Sequence, residues 1–175
     1  SAADAGAAAW DRARGRGLSE RPWLERFLAL APPGPVLDLG CGAGEPIAAW
    51  LMAQGRAVTG VDFAAPMLAR ARARLPEGEW VQADMRGLDL GRRFAGVVAW
   101  DSFFHLTIAE QRATIPRLAA HLLPRGALMF TSGAEEGTAE GAVDGRPLPA
   151  SWPRPGPTAP CARRCCGSRA ASRRR

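Results

Sequence analysis

The stretch Val36-Leu37-Asp38-Leu39-Gly40-Cys41-Gly42-Ala43-Gly44-Glu45-Pro46 decides the fold. Pro35 to Leu39 is a short apolar run that predicts a buried strand. Three glycines follow at alternate positions, and Pro46 stands where the first residue of a helix belongs. Glycine lets the backbone turn sharply and approach a ligand with no Cβ in the way. A strand, a glycine loop and a helix start, in this order, make a nucleotide-binding unit. The spacing argues against the dinucleotide version, which needs Gly-x-Gly-x-x-Gly. Counted from Gly40 the third place is Glu45, and counted from Gly42 it is Ile47. The pattern is instead Asp-x-Gly-x-Gly-x-Gly, with the Asp38 carboxylate two residues ahead of the first glycine. A carboxylate there suits a ligand with positive charge near the loop.

Working outward, apolar runs and breakers alternate along the chain. Ser19 is placed to cap a helix running to about Leu30, with Pro22 in its first turn and Trp23, Phe27 and Leu30 on one face. Pro32-Pro33-Gly34-Pro35 stops it. After the glycine loop, Ile47, Trp50 and Leu51 form the stripe of a helix that Gly55 ends. Ala57 to Val61 is a second strand, followed by Asp62, and Pro66 opens a helix with Met67, Leu68, Ala71 and Leu75 inward. Trp80 to Ala83 and Ala95 to Trp100 are the third and fourth strands, closed by Asp84 and Asp101. Thr107-Ile108-Ala109-Glu110 is a capping box that starts a helix, kinked at Pro116 and ending near Leu123. Ala127 to Thr131 is the fifth strand. Short apolar strands alternating with helices predict an α/β, Rossmann-like, mostly parallel sheet with helices on both faces. Ligands bind such sheets at the carboxyl ends of the strands. Four acidic residues, Asp38, Asp62, Asp84 and Asp101, gather there.

The first motif resembles that of the class I S-adenosylmethionine-dependent methyltransferases. The likeness covers about residues 20 to 135, includes Gly60-Val61-Asp62, and is nearest to the small single-domain members that act on small molecules. It implies S-adenosyl-L-methionine as cofactor, S-adenosyl-L-homocysteine as product, and a small-molecule acceptor. Gly40, Cys41, Gly42 and Gly44 would wrap the amino-acid part of the cofactor, with Asp38 near its ammonium. Asp62, 20 residues after Gly42, would hydrogen-bond the ribose. Phe63 and Met85 are candidate walls for the adenine, and Asp84 would meet its amino group. Arg86 is expected in an ion pair rather than on a ligand. Trp100 and Asp101 would flank the methyl group and face the acceptor. His105 is the candidate general base, and His121, late in a helix, has no catalytic role. No set of ligands after the fifth strand supports a metal. The alternatives are an RNA or protein methyltransferase, or an inactive S-adenosylmethionine-binding protein with an incomplete acceptor side.

Composition narrows these choices. The 175 residues suit one domain, and no run approaches the roughly 18 apolar residues of a membrane span. Ser1 to Ala9 carries Asp4 and no basic start, so it is not read as a signal peptide, and the absent initiator Met points to processing or a fragment. The net charge of +6 is unevenly spread, and every basic residue is Arg. Residues 1–145 hold 15 Arg and all 17 acidic residues, whereas 146–175 hold 8 Arg and no acid. The near-neutral body argues against a nucleic-acid partner. The four cysteines have no disulfide or zinc spacing, so a cytoplasmic location is expected. Oligomeric state is left open.

The domain organisation predicted is a lead-in over 1–18, the S-adenosylmethionine-binding methyltransferase domain over 19–145, and a disordered basic Pro/Arg-rich tail over 146–175. The family sheet has seven strands, the last two a hairpin. Only five are expected here, with the C-terminal strands missing or replaced. The tail holds 6 Pro and 3 Cys but no Val, Ile, Phe or Met. Its Arg, Pro, Ala, Gly and Cys usage points to GC-rich coding sequence read in a frame shifted somewhere after Glu140, the alternative being a natural disordered basic tail.

Overall fold

Alternation of side chains along five short strands places the core on both faces of one sheet. The computed structural model describes residues 17–131 and the backbone of 137–143 and 146–152. In chain order these are α1 (Arg21–Leu30), β1 (Val36–Leu39), α2 (Ile47–Ala53), β2 (Val58–Asp62), α3 (Ala65–Arg74) and β3 (Glu79–Gln82). There follow a 3-10 turn η1 (Met85–Gly87), β4 (Phe94–Ala99), a second 3-10 turn η2 (Phe103–His105), α4 (Ile108–Ala120) and β5 (Leu122–Phe130), then β6 (Gly137–Val143) and β7 (Arg146–Trp152). The main sheet has the order β3-β2-β1-β4-β5 and is parallel throughout. Strand order reverses at β1, whose carboxyl end is therefore the crevice where such sheets take ligands.

One face carries Val36, Val58, Val98, Ala127 and Met129, packed against Leu24 and Phe27 of α1, Ile47 and Leu51 of α2, and Leu68 and Ala71 of α3. The other carries Leu37, Leu39, Val61, Val97 and Ala99, packed against Leu88, Phe103 and Leu118 of α4. Phe27 comes so close to β4 that a Cβ on Gly96 would stand 2.2 Å from its Cζ.

Several boundaries differ from expectation for physical reasons. Ser19 does not cap α1; Glu20 holds the N-cap position without a side-chain hydrogen bond to the helix, and Ser19 Oγ donates to Glu20 Oε2 instead. The capping box of α4 forms as expected, Thr107 and Glu110 satisfying each other's backbone amides. α4 runs through Pro116, which is exposed, so the carbonyl it frees faces water. β5 starts at Leu122 rather than Ala127. Phe94 pairs with Leu122 and Gly96 with Ala127, so Pro124-Arg125-Gly126 is taken up in a bulge, with Arg125 at φ +66°.

The structure also differs at residues 146–152, which pair antiparallel with β6 from Val143 opposite Arg146 to Gly137 opposite Trp152. The overlooked signal is Asp144-Gly145 between them, a dipeptide that favours two-residue hairpins. Pro147 and Pro149 concealed the strand, because proline cannot donate to a ladder. This hairpin is a sheet of its own. Among the described residues, no strand follows β5 in the main sheet. The predicted lead-in falls almost wholly on residues 1–16, and most of the predicted tail on 153–175; both ranges lie outside the described residues.

Candidate active site

The glycine loop hangs from the end of β2. Gly40 and Cys41 both donate their N–H to the Val61 carbonyl, at 2.8 and 3.1 Å. The Asp62 carboxylate completes the support, Oδ2 accepting from the Gly42 N–H at 2.9 Å and Oδ1 from the Ala64 N–H at 2.8 Å. Asp62 thus fixes both the loop and the start of α3. A carboxylate offers about four lone-pair sites, so each oxygen keeps one for a ligand.

All three loop glycines hold positive φ, +70°, +54° and +82°. At Gly40 a Cβ would lie 2.2 Å from the Ser102 Cβ, and at Gly44 2.9 Å from Trp80 Cη2. At Gly42 the nearest atom is the mobile end of Met67, at 3.2 Å. Gly40 and Gly44 are therefore required by the protein's own packing, before any ligand is considered. Cys41 is buried in the first core cluster, and its carbonyl accepts from the Gly44 N–H at 2.9 Å, so it supports the loop from within. Asp38 is buried between Gly60 and Val98 on the neighbouring strands.

The second edge of the site follows β4. Asp101 holds φ +49°, rare for a residue with a side chain, and its N–H donates to Thr131 Oγ1 at 2.9 Å. Ser102 is buried, and its hydroxyl donates to the Leu39 carbonyl at 2.8 Å. His105 is exposed at the end of η2, its ring 4.5 Å from that of Phe104, and β7 runs beside this turn. Trp100 packs partly against the first core cluster.

The third edge follows β3. Asp84 is exposed, and its carboxylate is engaged by the Arg86 guanidinium through Nε at 2.9 and 2.8 Å and through Nη2. Arg86 also donates to Glu110 Oε1 at 3.0 Å, which joins η1 to the first turn of α4. The side-chain hydrogen bond from Arg86 holds Asp84 below the usual carboxylate range. The Thr107 backbone N–H, and then Arg86, do the same for Glu110. Arg86 is raised above its ordinary value in return, first by Asp84. Arg86 is thus the ion-pair residue expected from the sequence. Met85 is half-buried against the second core cluster, while Phe63, one residue past Asp62, is 77% exposed.

Ser102 was not among the expected site residues. No local pattern marks it; its meaning depends on Gly40, 62 positions earlier in the chain. His121, set aside as non-catalytic, is buried and bridges Arg117 O at Nδ1 and Leu90 N–H at Nε2, which fixes the tautomer with its proton on Nδ1. An open groove of about 500 Å³ lined by Met52, Arg56, Leu75 and Glu77 lies at the opposite, amino end of the strands, away from these carboxylates.

Residues 36–126 match the family model described as a methyltransferase domain. The chain belongs to that family. Among curated proteins, this methyltransferase domain is 40% identical over 96 residues to dTDP-3-amino-3,6-dideoxy-alpha-D-glucopyranose N,N-dimethyltransferase from Streptomyces fradiae, covering 54% of this chain and 37% of that protein. It is 39% identical over 101 residues to trans-aconitate 2-methyltransferase from Azoarcus, covering 53% and 36%. The chain thus spans less than half the length of these relatives. Among solved structures, it is similar to an S-adenosylmethionine-bound amino pentose methyltransferase from Micromonospora echinaspora, with TM-score 0.59 and 30% identity over 85% of this chain and 69% of that one. The parallel sheet of the methyltransferase domain and its glycine loop at the switch point accord with this membership. Among the described residues, no helix is long and apolar enough to cross a membrane.

Proposed function

We infer that this methyltransferase domain binds S-adenosylmethionine at the carboxyl edge of its sheet and supports methyl transfer to a small-molecule acceptor. The observation that carries this reading is the glycine loop after the central strand, pinned by Asp62 and abutting the segment that bears Asp101 and His105. The residues fit the cofactor: Asp62 keeps lone pairs for ribose hydroxyls, and Phe63 presents an exposed aromatic face beside it. When bound, the cofactor supplies an activated sulfonium methyl group. Asp38 and the loop Gly40-Cys41-Gly42-Ala43-Gly44 would hold its amino-acid end, and Asp62 the ribose. Phe63, Met85 and Asp84 would bound the adenine. Trp100 and Asp101 would line the methyl side, with His105 taking the proton that the acceptor releases. Orientation carries most of the rate in such a displacement, since little other protein chemistry is needed. Relatives that act on an amino sugar and on a small carboxylic acid support a small-molecule acceptor without choosing between nitrogen and oxygen.

Calorimetry tests the cofactor. S-adenosylmethionine and S-adenosylhomocysteine are expected to bind and NAD is not; NAD binding with neither adenosyl ligand binding would overturn the assignment. For the base, amino-sugar nucleotides and small carboxylic acids form a starting acceptor panel. With whichever compound is methylated, His105→Gln should lower kcat with little change in S-adenosylhomocysteine affinity. Unchanged kcat would return His105 to a packing role.

A further inference from the structure

We propose that Ser102 is a positioning residue that couples the cofactor loop to the acceptor-side segment 101–106. This rests on the cofactor reading above and extends it to a residue outside the candidate contacts. The β1–β4 ladder ends at Asp38 opposite Val98, so the next carbonyl, that of Leu39, has left the β4 ladder. Ser102 Oγ–H reaches it at 2.8 Å, in a buried position. The same side chain sits under Gly40, so close that no Cβ fits there. In the other direction the Ser102 carbonyl accepts the His105 N–H at 3.2 Å. The last residue of β1 and the backbone of His105 are therefore two hydrogen bonds apart, and both run through Ser102. A second hydrogen bond of this segment, Asp101 N–H to Thr131 Oγ1, leads toward β5 and does not touch the glycine loop. A displacement of Gly40 on cofactor binding is transmitted to η2 through Ser102.

Hydrogen exchange with S-adenosylhomocysteine as the probe tests this without an acceptor. In the wild-type chain, saturating ligand should slow exchange across residues 101–106 by about fivefold, the factor expected when one hydrogen bond is made firmer. In Ser102→Ala, which keeps the Cβ under Gly40 but removes the hydroxyl, the ligand should still bind while that protection is lost. Thr131→Val cuts the Asp101–Thr131 hydrogen bond and should keep the ligand-dependent protection. If Ser102→Ala does not fold by circular dichroism, Ser102→Cys, of similar size and with only a weak donor, takes its place and should lose most of the protection. Equal protection in wild type and in the Ser102 variant overturns the coupling, as does equal loss in the Ser102 and Thr131 variants. Absence of S-adenosylhomocysteine binding to the wild-type chain overturns the cofactor reading itself, which separates the two failures.

Discussion

Gly40, Gly42 and Gly44 share positive φ but answer to different neighbours, and substitution separates them. Gly42→Ala should cost about 1–2 kcal/mol, the left-handed penalty, because Met67 can move its terminal methyl. Gly40→Ala should cost a further ~1–3 kcal/mol, because Ser102 is held by its hydrogen bond and cannot make room. Urea denaturation compares the two, and equal losses would show that the Ser102 contact relaxes. Asp62 offers a second test. Its two oxygens accept from two backbone amides, and the amide nitrogen of an asparagine cannot accept at all. Asp62→Asn should therefore loosen the loop as well as lose ribose contacts, weakening S-adenosylhomocysteine binding by about 1–3 kcal/mol by calorimetry. Affinity equal to wild type would mean that the carboxylate serves neither purpose.

At the scale of elements, the bridge from η1 to α4 through Asp84, Arg86 and Glu110 is electrostatic and exposed. Both carboxylates are held below their ordinary values in the folded chain, so their contribution is present above the unfolded values and lost as pH falls through the lowered ones. Arg86→Met should lower the melting temperature at neutral pH, and the gap to wild type should close as the buffer is taken below about pH 4. A gap that survives in strongly acid buffer would show that the bridge acts through packing of the Arg86 stem. The same elements mark what the sequence could yield. Thr107 and Glu110 announce α4 because a capping box is local, and Gly55 ends α2 for the same reason. Ser19 misled because Glu20 took the cap. Pro124-Arg125-Gly126 reads as a turn, whereas in three dimensions β5 carries it as a bulge in its ladder with β4.

At the scale of the molecule, the parallel sheet and the edge carrying Asp38, Asp62, Asp84 and Asp101 were legible because each strand is its own apolar run. Ser102 and the packing demands on Gly40 and Gly44 were not. These depend on residues far apart in the chain, which meet only once the strands have paired. The central strand pairs with β2, the next strand in the chain, and with β4, two strands later. During synthesis the loop and Asp62 therefore leave the ribosome well before the support beneath Gly40 has been made. Ligand competence should appear late and abruptly along the growing polypeptide. Arrested nascent chains exposing residues up to 90 should fail to retain labelled S-adenosylhomocysteine, whereas chains exposing residues up to 131 should hold it. Retention by the shorter chains would mean that β1, its loop and β2 already make a working half-site at birth.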